Sequence, residues 1–140
     1  MAQTLDELLA SLDACPEARE WAHGKTLAEA WAGCPRGDWM LWLAYRMAGE
    51  PGWAPHSRVL LAAAACAETA LPPAAQSDAQ RMAIEWMRWR AEGGCGAAEA
   101  GLAVATASDI AASDGAAAGA VARAADICRA MLPVAAAASE

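Results

Sequence analysis

Phenylalanine is absent from this chain, tyrosine occurs once, and β-branched residues are few. β-strands depend on aromatic and β-branched side chains, so this composition argues against a sheet as the basis of the fold. Alanine, the strongest helix former, supplies 42 of the 140 residues. The composition therefore predicts an all-α protein, and a chain of this length is expected to form one domain with its own core.

Long hydrophobic runs are also missing. The most apolar stretch, VLLAAAACA at residues 59–67, is much shorter than the roughly 20 residues that a membrane-spanning helix needs, and Glu68 follows it. The first residues, MAQTLDELL, contain no basic region followed by an apolar run, so they do not predict a secretory signal. We therefore expect a soluble, cytoplasmic protein that has no membrane partner.

Positive charge is scarce. Lys25 is the only lysine, and 10 basic residues stand against 17 acidic ones, which gives a formal net charge of −7. An acidic surface repels nucleic-acid phosphates, so direct binding to DNA or RNA is disfavoured. Complementary charge instead speeds association with a basic protein. The charge balance thus favours a protein partner that has a basic surface.

The residue clusters of common active sites are missing as well. The five cysteines form no Cys-x-x-Cys pair, which is typical of reduced thiols in a cytosol. His23 and His56 are the only histidines, and neither lies in a HExxH or similar metal-ligand pattern. We expect no metal, no cofactor and no catalytic activity. A small enzyme or ligand-binding helical domain that uses Cys or Glu is kept as an alternative.

Capping residues, glycines and prolines divide the chain into about six to eight helices. Thr4 with Glu7, and Thr26 with Glu29, have the spacing of capping boxes, in which each side chain bonds the backbone of the other residue. The predicted helices cover residues 4–14, 16–24, 26–33, 38–49, 57–71 and 78–92, followed by an alanine-rich helical pair from residue 96 onward.

The segment CPRGDWMLWLAYRMAG, at residues 34–49, concentrates the large side chains. Asp38 follows a Pro-Arg-Gly turn and is predicted to be the N-cap of its helix, because a carboxylate accepts backbone N–H bonds at that position. Apolar residues then surround the helix on almost every side, as expected of a helix that neighbours cover. We predict that this helix is central and that Trp39 and Trp42 belong to the core.

The sixth predicted helix contains a second group of large side chains. Met82, Trp86 and Trp89 line one stripe of this helix, and Arg90 can lie over Trp86. Arg81 stands four residues before Glu85, the spacing of an ion pair on a helix surface.

Loops and glycines provide three further predictions. Trp53 lies in the loop GEPGWAP, where we expect it to cover the core rather than to stand as an exposed anchor. Gly101 and Gly119 interrupt helical sequence, which indicates close approach of helix backbones as compensation. The domain is expected to span residues 1–132, with a flexible tail at 133–140.

Two segments resemble a known family. LAEAWAGCPRGDWMLWLAYRMAG resembles small bacterial and phage-borne proteins that carry a Cys-x-Arg-x-Asp-Trp turn and an aromatic helix. RVLLAAAACAETALPPAAQSDAQRMAIEWMRWRAEGG is similar to the matching stretch of the immunity proteins of bacterial polymorphic toxin systems, with their Arg-x-Ala-Ile-Glu pattern. The resemblance covers roughly residues 25–130. The family's motif residues correspond here to Arg36, Asp38, Trp39, Trp42, Arg81, Ala83, Ile84 and Glu85.

This resemblance implies a protein that binds another protein and blocks it, as an immunity protein blocks a toxin. Seven of the 17 acidic residues lie in the first 38 positions, so the N-terminal helices are the predicted contact face. We expect Asp13, Glu17 and Glu20 to contact the partner, with Trp53 as the next candidate. A phage-encoded inhibitor of a host defence complex, of the anti-CRISPR type, and an oligomerisation module are kept as alternatives. The sequence does not predict an oligomeric state.

Overall fold

The structure is a computed structural model that describes residues 4–113 and 115–134. Within those ranges the chain forms eight α-helices, one 3-10 helix at Pro73–Ala75, and no strand. The α-helices are α1 (Leu5–Ser11), α2 (Pro16–Ala22), α3 (Leu27–Gly33), α4 (Gly37–Met47), α5 (His56–Ala70), α6 (Asp78–Gly93), α7 (Ala97–Ala111) and α8 (Ala120–Met131). The predicted all-α class and helix number are confirmed.

Side chains at the helix starts explain why these boundaries match the expected ones closely. The Thr26 hydroxyl accepts a hydrogen bond from the Glu29 N–H, and the Glu29 carboxylate accepts one from the Thr26 N–H, both at 3.1 Å. These bonds form the predicted capping box, and they hold the pKa of Glu29 below its ordinary value. At Thr4 the hydroxyl accepts from the Glu7 N–H, which is one half of the box expected there.

The helix at the centre of the fold is α5. It packs against α4, α6, α7 and α8. Val59, Leu60, Ala62 and Ala64 are all buried, and at 100° per residue they show that neighbours cover more than half of the circumference of this helix. Its run of alanines makes this possible, because small side chains allow the surrounding helices to approach closely.

The tryptophan-rich helix α4 lies beside α5, and the prediction that α4 is the central helix is wrong. α4 packs on α5, α7 and α8 and buries Met40, Leu41 and Ala44. Its two tryptophans, Trp39 and Trp42, are half-buried and pack against the rim of the core. An indole is large, and it is therefore rarely enclosed completely.

Two glycines mark places where α4 approaches its neighbours. A Cβ atom on Gly37, in the first turn of α4, would lie 2.3 Å from the Ala124 Cβ and 2.4 Å from the Ala124 carbonyl carbon on α8. A Cβ atom on Gly101, in α7, would lie 2.9 Å from the Tyr45 ring. Close packing at Gly101 was expected, although the neighbour is a side chain and not a backbone.

The expectation for Gly119 is wrong. Gly119 is the residue before α8, with a left-handed φ of 76°, and a Cβ atom on it would meet nothing within 4 Å. This glycine therefore serves the turn that leads into α8, because glycine adopts positive φ without a steric cost.

The C-terminal segment follows α8 back onto the fold. Val134, in the predicted flexible tail at 133–140, packs against the core. Positions 135–140 of that tail lie outside the described residues. None of the helices in the described ranges is long and apolar enough to cross a bilayer.

Candidate functional site

Three predicted contact residues lie on neighbouring segments at the N-terminus. Asp13 is in the turn between α1 and α2, Glu17 is in the first turn of α2, and Glu20 follows one helical turn later. All three side chains are exposed, and none forms an ion pair with another described residue. We call these three carboxylates the acidic face.

The backbone at Asp13 helps to place this face. Asp13 has a left-handed φ of 59°, which a short polar side chain tolerates, and the chain reverses there between α1 and α2. Asp13 stands three residues before Pro16, the first residue of α2. The exposed carboxylates of this region then point to solvent and not into the core.

Charge is concentrated in the same part of the molecule. Residues 4–38 carry seven acidic and three basic side chains, a net charge of −4, while the other described residues carry eight acidic and seven basic ones. The N-terminal helices therefore hold most of the excess negative charge.

A polar groove adjoins the acidic face. It lies between α1 and α2, has a volume of about 460 Å³, and is lined by residues that include Asp6, Arg19, Glu20 and His23. The His23 Nδ1 atom lies 3.4 Å from an Asp6 carboxylate oxygen. The groove is large enough to admit a long side chain of another protein, with carboxylates on its walls.

Arg36 and Asp38, of the Cys-x-Arg-x-Asp-Trp pattern in this sequence, bind each other. The Arg36 guanidinium donates to both Asp38 oxygens, from Nε at 3.2 Å and from a terminal nitrogen at 2.7 Å. This contact raises the pKa of Arg36 above its ordinary value. The same guanidinium lies 4.5 Å from the centre of the Trp39 ring. The motif thus joins the turn before α4 to its first helical turn.

The predicted N-cap role of Asp38 is wrong. The N-cap of α4 is Arg36, which makes no side-chain cap bond, and Asp38 is the second residue of the helix. The helix begins one residue earlier than expected because Gly37 already has helical geometry against α8. Asp38 consequently faces the arginine and not the free backbone N–H groups.

We expect Asp38→Ala and Asp38→Asn to lower the free energy of unfolding by similar amounts, about 0.5–1 kcal/mol. Both remove the anion that faces Arg36, and the effect is small because the pair is partly exposed. Asp78→Asn is the control, since Asp78 also opens a helix and pairs with Arg81 but is far more exposed. Urea denaturation measures all three. An Asp38→Asn variant as stable as the parent would restore the capping role.

Trp39 and Trp42 have a second set of neighbours besides the core. With Trp21 and Trp31 they line a cavity of about 540 Å³, which we call the apolar cavity. The Trp21 and Trp39 ring centres lie 6.3 Å apart with their planes tilted by 52°. The aromatic concentration seen in the sequence is therefore in part the wall of a cavity. No sequence pattern indicated the cavity, because its walls come from five different helices.

Trp53 lies in the loop between α4 and α5. Its ring meets the Trp31 ring edge to face, with centres 6.1 Å apart, and it is half-buried against the core. This position agrees with a lid on the core. The loop that carries Trp53 is distant from α1 and α2 in the sequence. In the structure the Trp53 ring lies beside Trp31, the tryptophan of α3.

Helix α6 exposes two of the three large apolar side chains on the stripe formed by Met82, Trp86 and Trp89. Met82 is 68 % exposed and Trp89 is 65 % exposed, whereas Trp86 is half-buried. Ile84 and Met87 occupy the buried side of the helix instead. Met82 and Trp89 are two turns apart, so they lie on one side of α6 and form what we call the Met82–Trp89 patch.

The charged residues of α6 also differ from the prediction. Arg81 pairs with Asp78 at 2.9 Å, and no ion pair links it to Glu85, which is exposed. The guanidinium of Arg90 lies 5.5 Å from the centre of the Trp89 ring. Asp78, and not Glu85, is therefore the partner of Arg81. Asp78 stands in the first turn of α6, where a carboxylate also complements the helix dipole.

The cysteines show no sign of activation. All five are free thiols, and Cys34, Cys66 and Cys128 are buried. Burial raises the pKa of Cys34 and of Cys95, and a hydrogen bond with Cys66 raises the pKa of Cys128, so these thiols stay protonated. Among the described residues there is also no group of three or more side chains that could hold a metal ion.

Comparison of the chain with protein-family models, with curated proteins and with solved structures finds no match.

Proposed function

We propose that this protein binds another protein through the acidic face and blocks it, in the manner of an immunity protein. The observation that carries the proposal is the set of three exposed carboxylates without ion pairs, in a segment of net charge −4. Exposed charges contribute little to folding stability. Asp13, Glu17 and Glu20 are thus free to pair with lysine or arginine on a partner.

Inhibition would be both steric and electrostatic. The acidic face attracts a basic surface and raises the rate of encounter, and the bound helical domain then covers that surface. Proteins that act on nucleic acids have such surfaces, because they neutralise phosphates with lysine and arginine. A toxin of that kind is the partner that fits this face, and the nucleic-acid channel of a defence complex has the same chemistry.

The test uses the products of the genes that flank the gene of this protein, selecting those whose expression stops cell growth. Each is co-expressed with the parent protein or with the triple variant Asp13→Lys, Glu17→Lys, Glu20→Lys, and cell growth is scored. We expect the parent to restore growth and the variant to fail. With the purified pair, charge reversal should slow association about tenfold or more, measured by surface plasmon resonance. Raising the salt concentration should slow the parent's association too.

A matched variant separates local contact from total charge. Glu85→Lys, Glu92→Lys, Asp109→Lys changes the net charge by the same amount, at exposed positions on α6 and α7. It should keep both growth rescue and an association rate within about threefold of the parent. Both variants should melt within a few degrees of the parent temperature, and the acidic-face variant should be the lower of the two, because lysine tolerates the left-handed φ of residue 13 less well than aspartate does. Equal slowing by the two variants, or none by either, would remove the acidic face as the contact surface.

A further inference from the structure

The apolar cavity lies between the N-terminal helices and the pair α4 and α7. Helices α1, α2 and α3 form one side of it, and α4 and α7 form the other. Leu9, Met40 and Val104 are buried residues of its lining, while Cys15 and Ala105 are exposed. The cavity therefore reaches from the interior to the protein surface. It differs in place and chemistry from the polar groove beside the acidic face.

The size and lining of the cavity define the class of molecule that it can hold. Its volume of about 540 Å³ lies within the range of sites for small organic ligands, roughly 300–1,000 Å³. Four tryptophans, Trp21, Trp31, Trp39 and Trp42, contribute to the walls together with aliphatic side chains. Aromatic walls of this kind favour a flat, apolar ligand, because ring stacking adds to the burial of apolar surface.

The charges around the cavity argue against an ionic ligand. Asp13 and Asp38 are lining residues, and none of the described lysine, arginine or histidine side chains lines the cavity, so an anion has no partner there. Lys25, Arg36 and Arg46 instead lie over the rings of three wall tryptophans, at 4.6, 4.5 and 5.5 Å from the ring centres. These three rings already make cation–π contacts with side chains of the protein, so a cationic ligand is disfavoured as well.

One wall residue has an unused hydrogen-bond donor. Trp31 is 8 % exposed, and its Nε1 atom is the one buried side-chain polar atom in the described ranges without a hydrogen-bond partner. A buried donor without an acceptor is unfavourable. The Trp31 nitrogen is covered on all sides in the structure, so the ring has to turn before a ligand in the cavity can bring an acceptor to this N–H and relieve that cost.

We infer that the apolar cavity binds an uncharged aromatic or alicyclic molecule that carries a single hydrogen-bond acceptor for the Trp31 N–H. The inference does not rest on the proposed blocking of a protein partner. Of the acidic face, Asp13 lines the cavity, whereas Glu17 and Glu20 do not, so charge reversal of Glu17 and Glu20 alone should leave ligand binding intact.

The test uses prodan, a neutral fluorescent naphthalene ketone, as the probe. We expect one prodan to bind per chain at micromolar concentration, with a blue shift of probe emission and energy transfer from tryptophan. Prodan should bind at least tenfold more tightly than the anion 1-anilinonaphthalene-8-sulfonate. No saturable prodan binding, or tighter binding of the sulfonate, would overturn the inference.

Two filled variants locate the site. Ala105→Trp adds volume at the exposed part of the lining, and Ala30→Leu adds it at a buried wall position. Each should weaken prodan binding tenfold or more. Ala98→Trp, on the same helix as Ala105 but outside the lining, is the control and should stay within twofold of the parent. Because Ala105 is exposed, its variant tests the site even where Ala30→Leu unfolds the protein. Equal binding by the Ala105 and Ala98 variants would place prodan elsewhere and refute the assignment.

Trp31→Phe tests the donor. It keeps an aromatic ring and removes the N–H, so prodan should bind about three- to tenfold more weakly. The binding of 2-(dimethylamino)naphthalene, which lacks the ketone, should change by less than twofold. An equal loss for both probes would show that Trp31 supplies only its ring, and the acceptor part of the inference would be wrong.

Discussion

Gly37→Ala should lower the free energy of unfolding by about 3 kcal/mol or more, which is at the upper end of overpacking effects. The added methyl group would lie 2.3–2.5 Å from the Cβ, carbonyl carbon and following nitrogen at Ala124 and Ala125 of α8. Two of these three atoms belong to the backbone, so a side-chain rotation cannot make room. α4 and α8 would have to separate, and the contact that holds the first turn of α4 would be lost.

The matched control is Gly33→Ala. Gly33 ends α3, and a Cβ atom on it would meet nothing within 4 Å. Alanine is the better helix former, so this variant should be neutral or up to about 1 kcal/mol more stable. Urea denaturation followed by circular dichroism measures both variants. If Gly37→Ala were as stable as Gly33→Ala, α4 and α8 would not be in the described contact.

Leu60→Ala should cost about 3 kcal/mol, within the 2–5 kcal/mol range for a leucine that is truncated in a core. Leu60 lies on α5 and is 0 % exposed, with helices packed around it. Those helices are held apart by other side chains and cannot collapse fully into the space that the leucine leaves. The same denaturation experiment gives the value.

Leu102→Ala is its control. Leu102 lies on α7 and is 57 % exposed, so its truncation removes little buried surface. We expect a change within about 0.5 kcal/mol, of either sign, as is usual at exposed positions. Equal effects of the two truncations would contradict the central position of α5 and would return α4 to that place.

Local signals predicted the helices well because they act over a few residues. The Thr26–Glu29 capping box and the proline at the start of α2 depend only on near neighbours in the chain, and the structure has both. The N-cap prediction for Asp38 was wrong for a reason that lies outside its own helix. The contact of Gly37 with α8 starts α4 early, and α8 is more than 80 residues away in the sequence.

Hydrophobicity alone did not rank the helices by burial. Its tryptophans made α4 appear to be the most buried helix in the sequence. The tryptophan side chain is large, however, and Trp39 and Trp42 lie at the edge of the apolar cavity. The alanines of α5 are weakly hydrophobic one by one, and yet Ala62, Ala63 and Ala67 are each 0 % exposed. The space around a residue depends on how closely its neighbours approach, which no single segment specifies.

The predictions for α6 show the same limit. Met82, Trp86 and Trp89 have helical spacing, but Ile84 and Met87 on the other side are the residues that α6 buries. Both stripes are apolar in the sequence, and only the position of α5 decides between them. For the candidate site, the charge of Asp13, Glu17 and Glu20 could be read from the sequence. The polar groove and the apolar cavity could not be predicted, because they depend on how the helices are arranged.

The alanine contacts between α5 and α7 have a consequence for the entropy of folding. Ala63 and Ala67 on α5, and Ala100 and Ala103 on α7, are all 0 % exposed. An alanine has no side-chain rotamer to lose when it is buried, so this interface orders almost nothing beyond the backbone. For the same reason, the alanine side chains at this interface cannot change rotamer to make room for a larger residue. The positions should therefore tolerate only residues close to alanine in size, and the two helices should move as one rigid unit.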